Sequence, residues 1–118
     1  MHGPTFMGNP TACRVALKSI DLLFEHHHLD HIQAIEATFK SAFEGFHHSA
    51  IKDIRILGAT AAIEVHDASS LKGVQRFAFD QGIWLRPFDR FLYTTPPYVT
   101  TLDECQHIAK CMLNWFSQ

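Results

Sequence analysis

The sequence predicts an α+β domain with helices packed on a small antiparallel or mixed sheet, in the order α-α-β-β-α-β-β-α. Three observations predict it. Apolar residues recur every three or four positions between residues 10 and 46, and they alternate with polar ones between 51 and 65. Two short β-rich stretches between 82 and 97 then flank a turn. The 118 residues fit a single domain with its own core, and 47% apolar against 19% charged residues is the balance of a globular protein.

The first helix is expected to start at Asn9-Pro10, where asparagine is a good N-cap and proline suits the first helical position. From Thr11 to Phe24 it is apolar on more than one face, through Val15, Leu17, Ile20, Leu22, Leu23 and Phe24, so it calls for cover on most sides. The second helix carries Ile32, Ile35, Phe39, Phe43 and Phe46 on one stripe, and Gly45 with His47-His48-Ser49 marks its end. IKDIRILGATAAIEV reads as two strands turning at Gly58, and residues 70–81 read as a helix stopped by Gly82. GIWLRPF and RFLYTTPPY read as two strands around Phe88-Asp89-Arg90, the second ended by Pro96-Pro97. A helix from Asp103 to Phe116 completes the pattern, with no internal repeat and no low-complexity linker.

Composition excludes several function classes. A net charge of −2 without blocks of like charge gives no electrostatic support for nucleic-acid or membrane-surface binding. No apolar run reaches the roughly 18 residues of a membrane span, and the N-terminus lacks the basic-then-apolar order of a signal peptide. Cys13, Cys105 and Cys111 are odd in number and form no CxxC, which favours reduced thiols and a cytoplasmic protein. His27 and His31 are spaced i,i+4 near Glu25 and Asp30, but no second ligand pair follows, so solvated helix-end histidines are expected and no metal site. GxSxG, the Walker A loop and GxGxxG are absent.

Two stretches carry candidate chemistry. In HGPTFMGNP, glycines allow a ligand to approach the backbone, and Thr5 offers a hydroxyl and an N–H to a phosphate oxygen. A plain turn before an N-cap accounts for the same residues. In Trp84-Leu85-Arg86-Pro87-Phe88, an arginine among apolar residues is expensive to bury unless an anion meets it, and its fork suits a carboxylate. The alternative is a stem packed under Trp84, with the head in water or paired to Asp89.

HGPTFMGNP, an Ala-rich helix, GIWLRPF and YTTPPYVTT together resemble the C-terminal part of the class III pyridoxal-phosphate aminotransferases, in the family's order over nearly the whole chain. The class at large has Thr-(Phe/Tyr)-Gly-Gly-Asn-Pro in the first motif. Pro4 before Thr5, and Met7 in place of the first glycine, resemble the branch acting in biotin biosynthesis. That branch moves an amino group from S-adenosylmethionine to 8-amino-7-oxononanoate, giving 7,8-diaminononanoate. The resemblance implies the small C-terminal domain of a fold-type I enzyme that works as a homodimer with pyridoxal 5'-phosphate. It assigns Pro4, Thr5 and Phe6 to the loop that reaches the cofactor phosphate of the partner subunit. It assigns Arg86 to the acceptor's carboxylate and puts Gly3 close to the substrate.

The family also needs a lysine to carry the cofactor. None of Lys18, Lys40, Lys52, Lys72 and Lys110 matches its motif, so no catalytic residue is expected in this chain. The expected layout is one domain over residues 1–118: a phosphate loop at 1–10, helices at 10–46 and an α+β subdomain at 51–118. The large cofactor domain is absent, and the chain alone is expected to be inactive. Its apolar first helix, covered in the intact enzyme by the large domain and the partner, is expected to drive self-association when exposed. Two rivals stand beside this reading: another class III enzyme of the ω-amino acid or ornithine type, and a non-catalytic dimerisation or ligand-binding domain.

Overall fold

The computed structural model describes Gly3, Thr5 and residues 7–118. Helix α1 (Pro10–Glu25) begins as expected: the Asn9 side chain accepts the Ala12 N–H at 3.0 Å, and Pro10 opens the first turn. His27, in the left-handed region at φ 54°, separates it from α2 (His28–Phe43). Ile35, Phe39 and Phe43 form the buried stripe of α2, which ends before Gly45 at φ 73°.

Strands β1 (Ile51–Leu57) and β2 (Thr60–Val65) form an antiparallel hairpin through Gly58-Ala59. Gly58 has φ 57°, the left-handed value that a two-residue turn needs and that glycine adopts without a Cβ clash. Its N–H donates to Glu36 Oε2 of α2 at 2.5 Å, tying the hairpin tip to the helix. Strand β3 (Phe91–Thr94) adds to β2, so the sheet has the order β1-β2-β3 and is antiparallel throughout. Ala61, Ile63, Val65 and Leu92 bury one face against Ile35 and Phe39 and against Cys105, Ala109 and Met112 of α4 (Leu102–Phe116). Burial pushes the Cys105 and Cys111 thiols up, the nearby Glu104 charge adding at Cys105, so both stay protonated core residues. Thr101 caps α4 by accepting the Glu104 N–H at 3.1 Å.

Two expectations are corrected. The helix expected over residues 70–81 is a 3-10 turn (Ala68–Leu71) followed by the short α3 (Val74–Phe79). Gly73, at φ 91°, breaks the run between them. The expected stop does form: Ile83 N–H donates to Ala78 O at 2.9 Å and Gly82 N–H to Phe79 O at 3.0 Å, with Gly82 at φ 79°. The larger correction is that GIWLRPF is not a strand. Phe88 and Phe91 exchange two main-chain bonds of 2.9 and 2.8 Å around Asp89, which sits at φ 51°, and the pairing goes no further. Upstream of Pro87, Ile83 and Leu85 bury in the core. Burying such side chains is worth about 1.5–3 kcal/mol each, against about 0.5–1.5 for each main-chain bond a longer ladder would add.

Candidate carboxylate-binding cavity beside the third strand

The parting of residues 82–87 from β3 leaves an open-sided cavity of about 780 Å³. One wall is Gly82, Ile83, Trp84 and Arg86; the other is Tyr93, Thr94, Thr95, Pro96 and Pro97. The start of α4 closes the floor with Asp103, Glu104, His107 and Ile108. His107 Nε2 donates to Gln81 O at 3.1 Å, and Glu104 is engaged with Thr101 at 3.0 Å, so both are held by local bonds.

Arg86 is exposed at this wall, so of the two readings left open by the sequence the structure takes the one with its head in water. Among the described residues no carboxylate lies within 4.0 Å of it; Asp89, the alternative partner, faces Arg90 at 3.9 Å. A guanidinium that shares a mostly apolar cavity with an indole and a phenol suits a planar carboxylate on an apolar body. Tyr93 and the Thr94–Pro97 stretch were not singled out as site residues from the sequence. The signal was the turn at 88–90, which folds YTTPP back opposite GIWLR.

None of the described residues of the opening loop lines this cavity. Gly3 and Thr5 are exposed, while Pro4 and Phe6, expected at the phosphate, lie outside the described residues. A Cβ on Gly3 would lie 3.1 Å from Met7 Sδ, so the close approach at Gly3 is to the loop's own methionine. Thr5 retains an exposed hydroxyl that suits an anionic oxygen. All five lysines are exposed and none lines the cavity; Lys40 pairs with Glu36 at 2.6 Å. Among the described residues no lysine amine stands at the cavity to carry pyridoxal phosphate covalently, and the exposed Thr5 hydroxyl is a group that suits its phosphate. His31 Nε2 donates to Thr100 O at 2.7 Å, and among the described residues no three His, Cys, Asp or Glu side chains cluster to hold a metal. Among the same residues no helix is long and apolar enough to cross a membrane.

The Aminotransferase class-III profile matches residues 1–115, and the chain belongs to that family. Within it, the chain is 36% identical over 113 residues to the adenosylmethionine-8-amino-7-oxononanoate aminotransferase of Corynebacterium glutamicum, covering 95% of this chain and 27% of that protein. It is also 36% identical over 118 residues to the enzyme of the same name from Buchnera aphidicola subsp. Acyrthosiphon pisum, covering 97% of this chain and 28% of that protein. The chain thus spans just over a quarter of the length of the curated relatives it matches. Its fold superposes on the crystal structure of adenosylmethionine-8-amino-7-oxononanoate aminotransferase from Methanocaldococcus jannaschii with a TM-score of 0.84 at 20% identity, over 98% of this chain and 29% of that one.

Proposed function

We propose that this chain is the C-terminal part of a pyridoxal-phosphate transaminase that moves an amino group from S-adenosylmethionine to 8-amino-7-oxononanoate, a step of biotin biosynthesis. The observation that carries the substrate reading is Arg86, an exposed cation on an apolar cavity wall with no carboxylate partner among the described residues. When bound, pyridoxal phosphate supplies the electron-withdrawing ring that lets an amino group pass between carbon skeletons. This chain's residues bind and orient. Arg86 takes the acceptor's carboxylate in a two-pronged pair and aims its carbon chain along the cavity. Thr5, with the main chain around Pro4 and Phe6, donates to the phosphate held by the partner of a homodimer, and Gly3 keeps the loop narrow beside the substrate. Proton transfer belongs to a lysine outside these residues, so the 118-residue chain has no transaminase activity of its own. On this reading residues 1–10 are the phosphate loop, 10–46 the interface helices and 51–118 the substrate-facing subdomain. The three free thiols, two of them buried, suit a reducing cytoplasm.

The test uses the enzyme carrying this chain, with the 118-residue chain as the inactive control. Where the intact enzyme closes this open-sided cavity off from water, Arg86→Ala should lower kcat/KM for 8-amino-7-oxononanoate by about 30- to 1000-fold, the roughly 2–4 kcal/mol of a desolvated guanidinium–carboxylate pair. Activity toward the acceptor's methyl ester should change little. Unchanged acceptor kinetics would make Arg86 a structural residue, and product formed by the short chain alone would refute its dependence on an outside lysine.

A further inference from the structure

The geometry points to Trp84 as a specificity-determining residue that measures the carbon chain of the carboxylate ligand, an assignment that rests on the reading of Arg86 above. Burial alternates along Ile83, Trp84, Leu85 and Arg86: buried, exposed, buried, exposed. That period of two belongs to an extended chain, so Trp84 and Arg86 project from one side, and both wall the same cavity. Side chains two apart on such a chain are separated by about 7 Å, the run of roughly five methylene groups. Ile83 and Leu85, anchored in the core, keep this spacing from drifting.

The indole is free to take a ligand. Trp84 is 68% exposed, and its aromatic contact is Phe79, met at a centroid distance of 6.4 Å and 80° between planes. That edge contact steadies the ring and leaves a face open. Arg76, which reaches Phe79 at 5.9 Å, is tied to Asp80 at 3.1 Å and does not line the cavity, so Arg86 is its only guanidinium among the described residues. Pro96 and Pro97 line the opposite wall. A carboxylate seated on Arg86 therefore sends an unbranched tail across the indole, and each methylene added up to the ring's far edge gains apolar contact. A branched or much shorter acid misses it.

The test is a titration of the 118-residue chain with straight-chain acids from butyrate to nonanoate and with their methyl esters, followed by indole fluorescence and by the Trp84 side-chain N–H in NMR spectra. Affinity should rise about threefold to fourfold per added carbon and then level off, with acids bound more tightly than esters. Trp84→Ala should flatten the rise and keep the acid preference, and Trp84→Phe should restore most of the rise. Arg86→Ala should abolish the acid preference. If that preference is lost with Arg86 but the rise survives Trp84→Ala, this proposal fails alone. If the preference survives Arg86→Ala, or the wild-type chain binds no acid, the Arg86 reading fails and takes this one with it.

Discussion

Glu36 holds two elements with one carboxylate. Its oxygens reach Lys40 Nζ at 2.6 Å and the Gly58 N–H at 2.5 Å, and these bonds, Lys40 first, hold its pKa below the usual carboxylate range. A carboxyl depressed on folding stabilises the folded state above its unfolded pKa, about 4.3, and loses that contribution as pH falls through the lower folded value. Thermal melts from pH 6 down to pH 3 should therefore show a loss of Tm that Glu36→Gln reduces, since glutamine can still accept from Gly58 but does not titrate. An equal loss in both proteins would assign the acid sensitivity elsewhere; Asp67, held down by the Ser69 N–H, is the other depressed carboxyl. Arg86 was legible at this scale only as a cation among apolar and aromatic residues, with burial and exposure both open. The structure exposes it, at a wall that only the folded turn creates.

Elements follow local chemistry where that chemistry is strong. Asn9-Pro10, the stripe of α2 and the alternation through Ile54, Ile56, Ile63 and Val65 all led to the correct element, because cap, period and burial agree there. Gly58 shows how tight this agreement is: a Cβ would add a left-handed strain of about 1–2 kcal/mol and meet Ile32 Cγ2 at 3.2 Å. Gly58→Ala should lower unfolding stability by about 1–3 kcal/mol, read from the midpoint of a urea titration; no change would mean the hairpin tip relaxes freely. GIWLRPF misled because its β-branched and aromatic composition suits a strand, while core burial of Ile83 and Leu85 decided its path. Such a tertiary choice leaves no local mark.

At the scale of the whole molecule the chain is elongated. Its radius of gyration is 17.2 Å against about 13.5 Å for a compact domain of this length. Helix α1 stands off the core: none of its residues is buried, and Val15, Leu17, Ile20 and Phe24 are 51–64% exposed. The all-round apolar pattern of residues 11–24 announced this surface, though not what covers it. A contiguous exposed apolar face of this kind marks an interaction surface. Sedimentation velocity of the 118-residue chain should show a concentration-dependent rise above the monomer, abolished by Val15→Glu with Ile20→Glu. A strictly monomeric profile at millimolar concentration would contradict it.

The early parting of residues 82–87 from β3 also has a signature in time. Val65 donates to Arg90 O at 2.9 Å and Phe91 to Phe88 O at 2.8 Å, so successive residues of β3 point their amides to opposite sides. Leu92 and Thr94 therefore lock into β2, while the Tyr93 amide faces the cavity. Hydrogen–deuterium exchange should read β3 as a striped strand, with Tyr93 exchanging about tenfold or more faster than its two neighbours. A ligand that fills the cavity would then be recorded as the slowing of that one amide.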